Sequence, residues 1–168
     1  VQTCALPICR ETWEWNGVTW TLRSVSGPTG TAHAMAFDSF RRVAVLCVQP
    51  EVPTNITPLE TWEWDGTTWT QRATTGPLGT NQHAMAFDSA RNVTVLFGGR
   101  LPYPPVTFPT DTWEWNGASW TRRAIGGPVG RNGHAMAYDS SRNAVVLFGG
   151  YSTYGSIRGE TWELRDPT

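Results

Sequence analysis

Three histidines, His33, His83 and His134, each open the same short sequence, His-Ala-Met-Ala followed by Phe or Tyr and then Asp-Ser. Three glutamates, Glu14, Glu63 and Glu114, share another, Thr-Trp-Glu-Trp. Histidines in a set could hold a metal ion. Carboxylates about 5–10 Å apart could divide acid and base work. Both readings meet one objection: every one of these groups has copies, whereas a catalytic site normally breaks such symmetry. A histidine repeated at the start of a strand more often makes a structural hydrogen bond. The glutamates belong to hairpins of different units and are expected at the surface or as hydrogen-bond partners between units. The three Gly-Pro-x-Gly segments at 27–30, 76–79 and 127–130 are not phosphate loops, because no helix follows them and the chain has no lysine. Cys47 lies in an apolar run and is expected to be buried and structural. No catalytic residue, metal ligand or cofactor is assigned.

The elements that carry these groups follow from repetition. The cassette Glu-Thr-Trp-Glu-Trp-Asn/Asp-Gly-x-x-Trp-Thr starts at Glu11 and Glu60, at Asp111 with Asp for Glu, and in shortened form at Glu160, at spacings of 49, 51 and 49 residues. A fixed period near 50 is the signature of a repeat architecture. Between cassettes, His134–Asp139 alternates large and small side chains, a strand with one closely approached face. Ser140–Asn143 reads as a polar turn, and Ala144–Phe148 as a strand covered on both faces. Asn16-Gly17 and its copies are hairpin signals. As a two-residue turn, Asn16-Gly17 sets Trp15 against Val18 and Trp13 against Trp20. Trp13, Trp15 and Trp20 then share a face, as do Trp62, Trp64 and Trp69, and Trp113, Trp115 and Trp120. Packing between units is the default use of such aromatics; a sugar-stacking platform is the sharper alternative. No helix signal occurs.

Composition adds exclusions. The chain has 168 residues, a net charge of −1 and ten tryptophans, and all 13 of its basic residues are arginine. No basic field invites nucleic acid, and no apolar run approaches the roughly 18 residues of a membrane span. The first eight residues, Val-Gln-Thr-Cys-Ala-Leu-Pro-Ile, fit no part of the repeat and match the translated end of a common sequencing adapter, so residues 1–10 are read as a sequencing or assembly scar. On that reading the true N-terminus is missing and only Cys47 counts as a native thiol, so no disulfide framework is expected.

Four short strands per repeat, a double glycine closing the second strand and a tryptophan strand after it resemble the kelch repeat of β-propellers. The best copy runs from Arg131-Asn-Gly-His134 through Phe148-Gly149-Gly150 to Thr161-Trp162. The second keeps Gly98-Gly99 but reads Thr80-Asn-Gln before His83. The first reads Thr31-Ala before His33 and ends Leu46-Cys-Val-Gln49 without the double glycine. The resemblance implies an all-β, kelch-type propeller fragment of four-stranded antiparallel blades. Residues 11–24 are then the outer hairpin of a first blade, 31–73 and 80–124 are full blades, and 131–165 are three strands of a further blade. Such rings close with six or seven blades, about 300–350 residues at this period, so the chain is about half a ring. The isolated fragment is expected to self-associate or aggregate through open edges.

Strand parity separates the loops. Turns one and three of each unit are short and alike. Turn two and the link to the next unit are long and varied, and variable loops on a rigid scaffold are where binding resides. Arg100, Tyr103, Tyr151, Tyr154 and Arg158 are the candidate contacts for a protein or glycan ligand. The expected function is a non-enzymatic binding scaffold, part of a larger exported or cell-surface bacterial protein. The alternative is the scaffold of an enzyme, whether a galactose-oxidase-like copper oxidase or a sialidase-like glycoside hydrolase, with its active site outside this stretch. Kinship with the copper enzymes implies a Cys–Tyr crosslink with Tyr and His ligands, and no residue here matches it. Arg122, Arg123 and Arg131 are too few for a sialidase cluster.

Overall fold

The structure is a computed structural model. It describes residues 10–51, 57–101, 105–123, 126–152 and 155–165. Apart from a 3-10 residue at Gly155, all regular structure in them is β. Four strands, β3 (His33–Asp38), β4 (Val43–Val48), β5 (Glu60–Trp64) and β6 (Trp69–Ala73), form one antiparallel sheet in sequence order. A second sheet repeats the plan with β7 (Ala84–Asp88), β8 (Val93–Phe97), β9 (Thr112–Trp115) and β10 (Trp120–Arg123). On either side stand two partial sheets. The hairpin β1 (Thr12–Trp15) and β2 (Trp20–Ser24) precedes them, and the three strands β12 (Ala135–Asp139), β13 (Ala144–Phe148) and β15 (Thr161–Leu164) follow. A two-residue pairing of β11 (Arg131–Asn132) with β14 (Tyr151–Ser152) ties the start of that last unit to the loop after its double glycine.

Each first turn is built by one aspartate. Asp38 Oδ1 accepts the Arg41 N–H at 2.8 Å while Oδ2 pairs with Arg41 Nε at 2.8 Å. Asp88 does the same for Arg91, and Asp139 for Arg142. The residue after each arginine, Arg42, Asn92 or Asn143, takes a positive φ of 61°, 55° or 49°. Asparagine tolerates that left-handed conformation better than most residues.

The hairpin between the outer strands differs from the two-residue turn expected from Asn-Gly. Trp15 pairs with Trp20, and Trp13 with Leu22 rather than Trp20. The loop therefore holds four residues, and the same register recurs at Trp64–Trp69 and Trp115–Trp120. The reason is local. Asn16 Oδ1 accepts the N–H groups of both Val18 and Thr19 at 2.9 Å, and Gly17 sits at φ 96°. The asparagine side chain thus acts as part of the turn, and the longer loop brings two indoles together, tilted by 41° with ring centroids 5.5 Å apart. The three tryptophans still share one face.

β3, β7 and β12 lie beside one another. Between the first two sheets the core gathers Val45, Cys47, Leu59, Met85, Leu96 and Trp115. Between the next two it gathers Ala86, Val95 and Val145, with Met136 and Leu164 against them. Cys47 is fully buried, and burial pushes its thiol up to about 12. The residues that repeat in sequence also join the sheets. Trp64 Nε1 donates to Glu14 at 3.1 Å and Trp69 Nε1 to Thr12 Oγ1 at 2.7 Å. One sheet on, Trp115 donates to Glu63 at 3.1 Å and Trp120 to Thr61 Oγ1 at 2.8 Å. Glu14 and Glu63 thus each receive an indole of the next sheet.

Candidate functional site

Antiparallel order puts the turns after β3 and β5 at one end of the sheets. The β4–β5 connection and the link from β6 to β7 lie at the other end. The long segments at that second end are tied together: Leu59 N–H donates to Pro77 C=O and Gly79 N–H to Thr57 C=O, both at 2.8 Å. In the first unit, which lacks the double glycine, Gln49 N–H still reaches Ala32 C=O at 2.8 Å.

Arg100 and Tyr151 occupy equivalent places in adjacent units, each one residue after a double glycine. Arg100 exchanges backbone hydrogen bonds of 2.9 Å with Asn81, and Tyr151 pairs with Asn132. Both side chains are exposed. Arg158 is anchored: its Nε donates to Ser152 Oγ at 2.9 Å, and its backbone N–H to Gly150 C=O at 2.9 Å. Beside it, Glu160 takes hydrogen bonds from the buried Arg131 and from Trp162, which hold its carboxyl below the usual range. Tyr103 and Tyr154 lie outside the described residues.

The double glycines make this end compact. A side chain at Gly98 would put Cβ 2.5 Å from the Arg131 carbonyl oxygen, and one at Gly99 would lie 2.4 Å from Thr80 Oγ1. The link of each unit is thereby seated in its neighbour, and Gly99 N–H donates to Arg131 C=O at 2.8 Å. Gln82 takes a positive φ of 61° where the next unit has Gly133, and its side-chain oxygen accepts the Asn132 amide.

His83 and His134 are buried structural groups. His83 Nδ1 donates to Thr80 C=O at 2.8 Å. His134 packs edge-on against Phe97 of the preceding sheet, with ring centroids 5.7 Å apart. Burial lowers the pKa of both; for His134, with the charge of Arg131 added, it falls to about 4. Among the described residues no group of three or more His, Cys, Asp or Glu is placed to hold a metal. The glutamates sit in separate sheets, each locked to arginines: Glu63 to Arg41 and Arg72, Glu114 to Arg91 and Arg123.

One feature of this end escaped the sequence. A cavity of about 280 Å³ is lined by Trp113, Asp111, Arg122, Pro77, Leu78 and Thr80. In the other units the first tryptophan donates to the glutamate two residues before it: Trp13 to Glu11 at 3.0 Å, Trp62 to Glu60 at 2.9 Å, Trp162 to Glu160 at 3.2 Å. Asp111 is one methylene shorter and binds Arg122 at 2.6 Å instead. Among the described residues Trp113 Nε1 has no such acceptor. An indole, a carboxylate–guanidinium pair and apolar walls thus line one cavity, a combination able to stack a flat ligand face and hydrogen-bond its rim.

No protein-family model matches the chain, and no curated protein matches it. Solved structures do. YjhT superposes with a TM-score of 0.57 at 18% identity, over 73% of this chain and 35% of its own. A fucose lectin from Kordia zhangzhouensis, solved with methyl-fucoside, gives a TM-score of 0.47 at 12% identity, over 79% of this chain and 92% of its own. The chain spans about a third of YjhT, 35% by coverage. The first likeness is one of fold alone, in sheets of four antiparallel strands, and the second is too distant to add to it. Among the described residues no helix is long and apolar enough to cross a membrane.

Proposed function

We propose that this chain is part of a kelch-type β-propeller that acts as a non-enzymatic binding scaffold within a larger exported or cell-surface bacterial protein. Its ligand, a protein or a glycan, is taken at the long-loop end. One observation carries the reading. The repeated polar groups are consumed by structure: the aspartates build turns, the glutamates clamp arginines, and the indoles join sheets. What differs from unit to unit is Arg100, Tyr151 and the Trp113–Asp111–Arg122 cavity, all at one end. Side chains that vary on a rigid frame are the ones free to recognise something.

The test is binding to an immobilised panel of mono- and oligosaccharides and of cell-surface proteins. A ligand found there should lose at least tenfold in affinity in the Arg100→Ala/Tyr151→Ala and Arg122→Gln variants. It should be unaffected by Asn16→Ala, at the opposite end. Binding that ignores the first two variants and follows the third overturns the assignment. Turnover of an aryl glycoside, or peroxide release from a sugar alcohol, overturns the non-enzymatic part.

A further inference from the structure

Among the described residues the junction between neighbouring sheets is complete twice and half-made at each side of the array. In the complete junctions, the second and third tryptophans of one sheet dock on the preceding sheet. Trp64 and Trp115 are 7% and 1% exposed there, their indoles bonded to Glu14 and Glu63. Trp69 and Trp120 reach Thr12 and Thr61, over a glycine that leaves room for the ring. A Cβ on Gly27 would meet Trp69 Cδ1 at 3.1 Å, and one on Gly76 would meet Trp120 Cδ1 at 2.5 Å.

On the far side the socket is present without its indoles. Thr112, Gly126, Gly127 and Pro128 line a cavity of about 150 Å³ against β13 and β15. A Cβ on Gly127 would meet nothing within 4 Å. Leu164 stands opposite Val145, where Trp115 stands opposite Thr94, and it cannot donate to Glu114. On the near side the indoles are present without a socket. Trp15 and Trp20 are 52% and 63% exposed, their tilted rings in contact at 5.5 Å between centroids.

The inner strands repeat the same complementarity. Met85 and Phe87 of β7 are buried, and Met85 packs into the core that Ala34 and Ala36 of β3 line. Met35 and Phe37 of β3 are exposed, and so are Ala135 and Ala137 of β12. One side of the array thus offers large side chains and the other offers small ones.

We propose that two copies of this chain associate head to tail, the β1–β2 hairpin of one replacing β15 on β13 of the other. Trp20 then enters the Thr112–Gly127 socket, Trp15 reaches Glu114, and Met35 and Phe37 cover Ala135 and Ala137. The hairpin is suited to the exchange. β1 reads Thr-Trp-Glu-Trp against Thr-Trp-Glu-Leu in β15, and it brings β2 to cover the outer edge. The chain's own hairpin is held against the β3–β6 sheet by Trp64 and Trp69, with two sheets between it and β13, so the occupant comes from another copy. A head-to-tail contact of this kind closes into a ring or grows as an open chain, according to its rotation. The inference is independent of the ligand.

Sedimentation velocity of the 168-residue chain over a concentration series tests it. The expected result is reversible association that weakens at least tenfold in Trp15→Ala/Trp20→Ala and in Gly127→Trp, which plugs the socket. The tryptophans are exposed in the single copy and Gly127 faces open space, so these variants keep the fold. A chain that stays monomeric at about 100 µM, where such a contact would be populated, overturns the proposal. So does association indifferent to both the tryptophan and the glycine variants.

Discussion

Trp113 shows how one methylene group assigns a side chain its work. Glutamate at the head of the cassette reaches the indole two residues on; Asp111 cannot, and it turns to Arg122. Asp111→Glu is therefore expected to restore the bond seen at Glu11–Trp13 and to slow hydrogen exchange of the Trp113 indole N–H at least tenfold by NMR. An unchanged rate would mean the Arg122 pair, rather than reach, decides the geometry. This residue was not legible in the sequence, because Asp for Glu reads as a neutral exchange until the distance is known. The place of Arg100 and Tyr151 beside the long connections was legible, because a double glycine marks where each strand ends. His134 belongs to the same scale. Its folded-state pKa is lowered from 6.5 to about 4, first by burial and then by Arg131. The unfolded chain therefore binds the proton more readily. The stability that the neutral ring contributes is complete above pH 6.5 and is lost as pH falls from there toward 4. Denaturation midpoints followed by tryptophan fluorescence should drop through that window, and His134→Gln should flatten the drop. A drop confined below pH 4 would instead trace to carboxylates such as Asp139, held low by its bonds to Ser141 and Arg142.

At the scale of the element, periodicity carried most of the fold. The alternation in His134–Asp139 and the apolar run Ala144–Phe148 gave strands where strands stand, because side-chain period and burial are two views of one geometry. The hairpin register departs from the Asn-Gly expectation for a physical reason. Asn-Gly is the signal of a two-residue turn, but the asparagine carboxyl-like amide oxygen can also cap two N–H groups further on. The longer loop then sets Trp15 opposite Trp20, where the shorter one would oppose Trp13 and Trp20. Asp65 makes the choice visible, accepting from the N–H of Thr67 and Thr68 at 2.8 Å. Asp65→Ala, which removes the acceptor of two backbone N–H groups, should lower the chemical-denaturation midpoint. Asp65→Asn, which keeps the accepting oxygen as Asn16 does, should lower it less than half as far. Equal losses would place the stability in the Trp64–Trp69 contact and not in the turn.

Across the whole molecule, stability in a repeat array is a sum of unit terms and junction terms, and the glutamates belong to the junctions. Glu63 accepts from Arg41 and Arg72 of its own sheet and from Trp115 of the next, and its side chain is almost wholly buried. Glu14 makes the matching bonds to Arg23 and Trp64 at the open side of the array, where both partners of the ion pair are substantially exposed. Removing a buried carboxylate strands the charge and the indole N–H that faced it, a loss of about 3–5 kcal/mol when no water can enter. Arg41 and Arg72 keep some access to solvent, so Glu63→Ala should fall near the lower figure, about 3 kcal/mol. Glu14 keeps its ion pair in solvent, where such a pair stabilises little, so Glu14→Ala should cost clearly less than Glu63→Ala. Urea denaturation of the two variants side by side measures the difference. If the costs are equal, the sheets fold as independent hairpins and the repeated indole bonds are incidental to cohesion. If Glu63→Ala costs the more, cohesion resides in the closed junctions. Anything that closes the two open junctions, whether another unit or another copy, should then raise the stability of the whole array by a comparable amount.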